Sequence, residues 1–363
     1  MDLEYLEIWT RRKLGLSLNQ PLTREALEGY QLEKIKATLK MARESSSFYQ
    51  KRLEGVDLER MAALTDVQKI PFTTPEDLLE RGKEMLCVNQ NQISRIVTLE
   101  TSGTSGLPKR VYFTREDQEL TTDYFHTGLH NMADERDRPL ILMPCRRPGS
   151  VGDLFRIAAE RMGMKTVPYG LPGMEQQAVG NKGVTAPGSG NWDGLLQLMA
   201  EKKVTFILGL STHVARLAGR YEEMLEASSG PAKEELLETG DRIRAVLLSA
   251  EYVSQGDREQ IQRSWGCKIF EHYGMTEMGL GGAVSCHLRQ GYHVREEDLY
   301  LEIVTPNTGK AVPDGELGEI VFTTLTRRGM PFIRYRTGDR SRFLPEPCAC
   351  GSILKRLERV GPR

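Results

Sequence analysis

The residues best suited to chemistry crowd into one short stretch, Thr101-Ser-Gly-Thr-Ser-Gly-Leu-Pro-Lys109, which follows an apolar run at 93–99. Gly103 and Gly106 allow the chain to bend without a Cβ penalty. The backbone N–H groups and the hydroxyls of Thr101, Ser102, Thr104 and Ser105 can then turn toward one anion, with Lys109 as a mobile point charge. That is the chemistry of a phosphate cradle. The spacing departs from the G-x-x-x-x-G-K-[ST] pattern, because the glycines stand too close and Arg110 follows Lys109. Taken alone, such a loop is equally compatible with a surface turn.

Three further clusters extend the reading. Ser249-Ala-Glu251 follows an apolar run at 243–248, where open α/β sheets place their ligands. Tyr273-Gly-Met-Thr-Glu277 follows a short strand at 268–270 and suits a polar pocket with one aromatic wall. Tyr335-Arg-Thr-Gly-Asp339 reads as a turn carrying a single carboxylate. Together these supply a cradle, a carboxylate able to hold Mg²⁺ beside phosphates, and a second carboxylate able to clamp vicinal ribose hydroxyls.

A separate set has metal-ligand character. Cys348-Ala-Cys350 offers two thiolates that cannot pair with one another across one residue without strain. Cys286-x6-His293 adds a thiolate and an imidazole, with His287 as the rival imidazole. The four would close a tetrahedral structural Zn²⁺ site that pins the C-terminal tail; the alternative is separate buried or free cysteines. Cys87 and Cys145 read as bystanders.

The elements that must position these groups follow from pattern. Helices are predicted at 21–41, 53–64, 75–81, 115–132, 154–162, 192–201, 212–225 and 254–264. Strands are predicted at 93–99, 110–114, 139–143, 165–169, 204–208, 243–248 and 268–270. Alternating strands and helices signal an α/β sheet, while the Gly- and Pro-rich segment 170–190 reads as a long loop. After about residue 280 the texture changes to strands at 300–304, 318–323 and 340–344, joined by turns, which suggests a smaller antiparallel or barrel-like lobe. The expected division is therefore an α/β core at 1–280 and a β-rich lobe with its tail at 281–363.

With 363 residues the chain can bury a substantial core in more than one lobe. A formal net charge of −1 provides no field for nucleic acid or an anionic membrane. No run reaches the length of a membrane span, and Met1-Asp-Leu-Glu-Tyr5 is too acidic and polar to begin a secretion signal, so the cytoplasm is the expected compartment. Six cysteines in so long a chain do not make a disulfide framework.

The motifs 101–109, 273–277 and 335–339, in this order, resemble the hallmarks of the adenylate-forming enzymes, a superfamily that includes acyl- and aryl-CoA ligases. Ser249-Ala-Glu251, the segment 291–303 and the Cys350-Gly tail are most similar to the phenylacetate–CoA ligase branch. The resemblance implies the large N-terminal domain of that superfamily, with stacked α/β subdomains. It also implies ATP-dependent activation of a carboxylic acid to an acyl-adenylate with release of pyrophosphate. On this resemblance Thr101, Ser102, Gly103, Thr104, Ser105, Gly106 and Lys109 would embrace the β- and γ-phosphates of ATP. Ser249, Ala250 and Glu251 would lie along the adenine, with Tyr273 and Gly274 beside it. Thr276 would touch the α-phosphate, Glu277 would hold Mg²⁺, and Asp339 would bind the ribose. Arg336 would add charge or brace its turn.

The acid would sit among 144–152, 209–213 and 279–282, where Gly281 and Gly282 leave room for an aromatic or heteroaromatic group. Arg146 and Arg147 would read a second anionic group or face solvent. Members of the superfamily continue past a hinge into a mobile C-terminal domain bearing a catalytic lysine. The sequence stops near that hinge, with Pro362 stiffening it, which leaves three expectations open: a C-terminal domain, carrier protein or acyl acceptor in trans, a sequence cut at this point, or slow adenylation without that domain. Two other readings are a non-catalytic ATP or acyl-adenylate binding subunit and an acyl-protein synthetase.

Overall fold

The computed structural model describes residues 5–17, 19–99, 108–170 and 191–361. The loop residues 100–107, the segment 171–190 and Pro362 lie outside the described residues.

Helix α1 (Tyr5–Lys13) precedes α2 (Arg24–Ser45), which starts where the side chain of Thr23 accepts the N–H of Ala26. Ser46 ends α2 and caps α3 (Ser47–Arg52). Thr74 and Asp77 form a capping box around Pro75 to open α4 (Pro75–Arg81). Strands β1 (Ile93–Leu99) and β2 (Lys109–Thr114) pair antiparallel, with Leu99 opposite Lys109. Then follow α5 (Arg115–Leu129), β3 (Pro139–Leu142), α6 (Val151–Arg161), β4 (Val167–Pro168), α7 (Trp192–Lys202) and β5 (Phe206–Gly209). Next come α8 (Ser211–Ala227), α9 (Gly230–Asp241), β6 (Ala245–Leu248), α10 (Gln255–Trp265) and β7 (Lys268–Tyr273). The remainder is β-rich: β8 (Ala283–Ser285), β9 (Tyr292–Val294), β10 (Leu299–Val304), β11 (Gly318–Thr324), β12 (Tyr335–Ser341) and β13 (Arg356–Leu357).

The chain forms two compact units, one of residues 1–121 with 274–363 and the other of 122–273. The second unit is built on parallel strands in the order β4-β3-β5-β6-β7. Strands β3, β5 and β6 are buried along their whole length, as expected for a parallel sheet covered by helices. Leu142, Ile207, Val246 and Ile269 share their core with Leu195, Met199, Leu217, Tyr221 and Ile261 from the helices.

In the first unit β10, β11 and β12 pair antiparallel, as do β8, β9 and β13, and antiparallel bridges from Arg340 to Gly361 and from Phe343 to Leu357 join the two sets, in keeping with the antiparallel or barrel-like lobe expected there. This unit is discontinuous in sequence, residues 1–121 being joined by 274–363. The reason is non-local. Arg334, buried and ion-paired to Glu302, donates to the carbonyls of Gln68 and Ile70, while Thr73 bridges Tyr335. The stiff connector 70–75 is thereby joined to β12.

Other differences have local causes. No helix forms over 53–64; Gly55 adopts φ +79°, and the Asp57 carboxylate accepts the N–H groups of Glu59 and Arg60. Helices α1, α3 and α9 have no counterpart among the predicted elements. The strand expected at 340–344 begins earlier, so Tyr335 to Asp339 lie within β12 rather than in a free turn. The strand is nevertheless interrupted, with Gly338 exposed and Asp339 partly so. Val321 pairs with Arg336 and Glu319 with Arg340, so four steps on β12 face two on β11, and Thr337, Gly338 and Asp339 form a bulge.

Candidate functional site

Lys109 is the first residue of β2, and its ammonium lies 3.9 Å from Oε1 of Glu277. Glu277 sits in a single 3₁₀ turn, Thr276–Met278, closed by Gly279 at φ +75°. Its carboxylate is buried, and the hydroxyl of Tyr335 donates to Oε1 at 3.0 Å. Lys109, Glu277 and Tyr335 belong to three different sequence motifs, and all three lie in the first unit. Thr276 is half-buried one residue before Glu277.

The bulge on β12 is held from within. Thr337 Oγ1 donates to Ile320 O at 2.7 Å and accepts the N–H of Asp339 at 3.0 Å. Glu319 accepts the N–H of Gly338 at 3.1 Å and both Nε and Nη2 of Arg336. Arg336 also donates to Pro306 O at 2.8 Å. Arg336 is thus engaged with Glu319 and Pro306, and Asp339 is partly exposed at the crest.

In the second unit Ser249 closes β6, and its Oγ lies 2.8 Å from Nδ1 of His272 on β7. Phe125 and Phe155 stack with ring centroids 3.7 Å apart, and both rings stand edge-on to His272. Tyr273, next in sequence, is buried. Glu251 plays a structural part, since its Oε1 accepts Ser211 Oγ, the N–H of Thr212 and Thr212 Oγ1 at 3.0, 2.7 and 2.8 Å. It therefore satisfies the exposed amide end of α8.

Backbone strain gathers around these motifs. Ala250 (φ +71°), Leu280 (φ +68°) and Arg334 (φ +45°) are three of the five non-glycine residues with positive φ among those described. They lie within Ser249–Glu251, just past Glu277, and immediately before Tyr335, where left-handed side chains cost free energy that the surroundings must offset.

The Thr101–Gly106 loop lies outside the described residues. Arg146 and Arg147 are exposed on the segment after β3. His213 lies on α8 in the 209–213 segment, and burial pushes its imidazole below the ordinary range.

The metal set assembles as the spacing suggested. Cys286, His293, Cys348 and Cys350 are all buried, and their ligand atoms lie within 4.8 Å of one another. His287, the rival, is exposed. Zn–S bonds near 2.3 Å and Zn–N bonds near 2.0 Å set tetrahedral edges of about 3.8 Å for S···S and about 3.5 Å for S···N. Cys286 Sγ to Cys348 Sγ is 3.8 Å, and Cys350 Sγ to His293 Nε2 is 3.4 Å. The donor set therefore fits zinc. Hydrogen bonding from Cys350, and then His293, draws the Cys286 thiol down to about 3 against the opposing effect of burial.

Sequence reasoning missed Arg327. Its guanidinium donates to the carbonyl of Glu277 at 2.9 Å and to that of Tyr112 at 2.8 Å. The available signal was a charged residue lodged between two apolar runs, 320–325 and 330–333.

A sequence profile described as AMP-binding enzyme matches residues 178–325. The chain is 29% identical over 346 residues to a phenylacetate-coenzyme A ligase of Thermus thermophilus, covering 93% of this chain and 70% of that protein. It is 28% identical to the phenylacetate-coenzyme A ligase of Escherichia coli, over 93% of this chain and 71% of that one. Among solved structures, a 2-hydroxyisobutyryl-CoA ligase in complex with 2-HIB-AMP and CoA superposes with a TM-score of 0.78 at 20% identity, over 94% of this chain and 69% of that chain. An open conformation of the same ligase gives 0.76 at 20% identity, over 93% and 75%. No helix among the described residues is long and apolar enough to cross a membrane.

Proposed function

Because the chain belongs to the adenylate-forming superfamily of AMP-forming ligases, we propose that it activates an aromatic or heteroaromatic carboxylic acid with ATP. An oxygen of the substrate carboxylate forms a bond to the α-phosphorus, the bond from that phosphorus to the bridging oxygen breaks, and pyrophosphate leaves. Both reactants are anions. Rate enhancement must therefore come from alignment and charge neutralisation rather than from a protein nucleophile.

The observation that carries this reading is the meeting, at the Glu277 carboxylate, of Lys109 and Tyr335 from the two other motifs. Lys109 and the 101–106 loop are proposed to hold the β- and γ-phosphates. Thr276 is proposed to hold the α-phosphate, and Asp339 on its bulge the ribose. Glu277 would hold magnesium, which when bound neutralises phosphate charge. Ser249, Ala250, Glu251, Tyr273 and Gly274 are assigned to the base. Zinc is assigned to Cys286, His293, Cys348 and Cys350, with folding rather than chemistry as its role.

The names of the curated relatives support an aryl acid as substrate and coenzyme A as eventual acceptor. The test is ATP–pyrophosphate exchange across a panel of aromatic acids. Exchange stimulated by one acid, and lost in Lys109→Ala and Glu277→Ala, is the expected result. Nucleotide binding without exchange under any acid would favour a binding subunit instead.

A further inference from the structure

Arg327 is buried, 5% exposed, and among the described residues it has no carboxylate within salt-bridge distance. Leaving a cation in such a place is costly unless its donors are matched. Its two bonds run to backbone carbonyls, Glu277 O at 2.9 Å and Tyr112 O at 2.8 Å. Its plane lies over the ring of Phe113 at 4.3 Å and faces that of Phe332 at 5.4 Å. Tyr112 belongs to β2, three residues after Lys109. The guanidinium therefore ties the strand that carries Lys109 to the turn that carries Glu277, and both ends of the tie lie in the first unit.

We propose that Arg327 is a positioning residue for nucleotide activation: its fork fixes the turn of Glu277 against β2, and so sets the separation of Glu277 and Lys109. The assignment rests on the proposed nucleotide role of those two residues. A guanidinium suits this role because it is planar and presents donors in fixed directions, so it bridges two carbonyls at once, whereas an ammonium is a point charge on a flexible stem. Its positive charge also lies near enough to Glu277 and Asp117 to interact with both. Asp117, in turn, fixes the neighbouring chain by accepting the N–H groups of Thr114 and Arg328 at 3.0 and 3.2 Å. Arg327 touches backbone rather than a reacting group, so its effect must pass through Glu277 and Lys109.

The experiment is a double-mutant cycle on Arg327→Lys and Glu277→Gln, read by equilibrium titration with MgATP and by the KM and kcat of pyrophosphate exchange. Arg327→Lys keeps the charge and removes the fork. Wild type is expected to bind MgATP, and Arg327→Lys to weaken binding about tenfold with a larger change in KM than in kcat. In the Glu277→Gln background the same substitution is expected to change affinity by less than about twofold, because the two act as one unit. Additive losses, or unchanged affinity in Arg327→Lys, would overturn the assignment. Absence of MgATP binding by wild type would bring down the nucleotide reading itself, a result distinct from either. Should Arg327→Lys not accumulate as folded protein, Phe113→Leu removes the ring beneath the guanidinium and carries the same cycle: non-additive losses support the assignment, and additive losses or unchanged affinity overturn it.

Discussion

The hydroxyl of Tyr335 donates to Oε1 of Glu277 at 3.0 Å, with both side chains buried. The same oxygen faces the ammonium of Lys109 at 3.9 Å. A buried carboxylate needs such partners to stay where it is. One of its oxygens is thus held by residues that precede and follow it in sequence by 168 and 58 positions, 277 minus 109 and 335 minus 277.

Tyr335→Phe isolates this bond while leaving the ring packed against Phe322 and Phe332. A hydrogen bond to a charged group contributes about 1.5–3 kcal/mol. Exchange at low MgATP is therefore expected to fall by roughly tenfold or more, with a smaller loss at saturating MgATP. An unchanged MgATP dependence would detach Tyr335 from the function of Glu277.

Glu251 offers a contrast, because its carboxylate caps α8 through Thr212 and Ser211. Glu251→Ala is expected to destabilise the protein by about 0.5–2 kcal/mol, the range for loss of a helix N-terminal cap. Denaturant unfolding of the second unit's helical signal measures it. Glu251→Gln keeps an acceptor oxygen and should recover most of the loss. Equal stability in all three proteins would leave the capping role without consequence.

Most of the fold was legible because the second unit's strands and helices carry their own periodicity. The limits of α4 and β1 were read to the residue, since Pro75 at a helix start and the apolar run at 93–99 are local signals. What escaped was non-local. The bulge at Thr337–Asp339 exists only because β11 sets the register, and the helix expected at 53–64 lost to an Asp57 turn. At the site, motif order singled out Lys109 and Glu277, whose charged groups lie 3.9 Å apart, and ligand spacing singled out the Cys/His set, whose donor atoms converge. Both were silent about Arg327, whose bonds go to carbonyls that any residue type supplies.

The sulfur cluster predicts a metal-dependent stability. Purified protein is expected to hold about one equivalent of zinc, and Cys348→Ser to lose it together with several degrees of Tm, because a structural metal contributes its binding free energy to folding. Elemental analysis and thermal unfolding with and without chelator measure both. Unchanged metal content and Tm in Cys348→Ser would dismiss the zinc centre. Activity is a poor readout here, since these four protein groups would fill a tetrahedral ion's positions and leave none open to substrate.

Glu297 makes stability depend on pH. It is fully buried; burial and then the charge of Asp298 push its carboxyl up to about 8 from 4.5, against the opposing pull of Arg295 and of Thr10, whose hydroxyl donates to Oε2 at 2.8 Å. The folded chain therefore keeps a proton that the unfolded chain has released between those two values. Stability from this group is complete below about pH 4.5, declines as pH rises through the window, and falls no further beyond about pH 8. Glu297→Gln cannot ionise, and its amide oxygen can still accept from Thr10. The Tm of Glu297→Gln minus that of wild type is accordingly expected to grow between about pH 5 and about pH 8.5. A difference that stays flat across that range would mean that Glu297 is ionised in the folded protein and that Arg295, 3.8 Å from Oε1, outweighs the cost of burial.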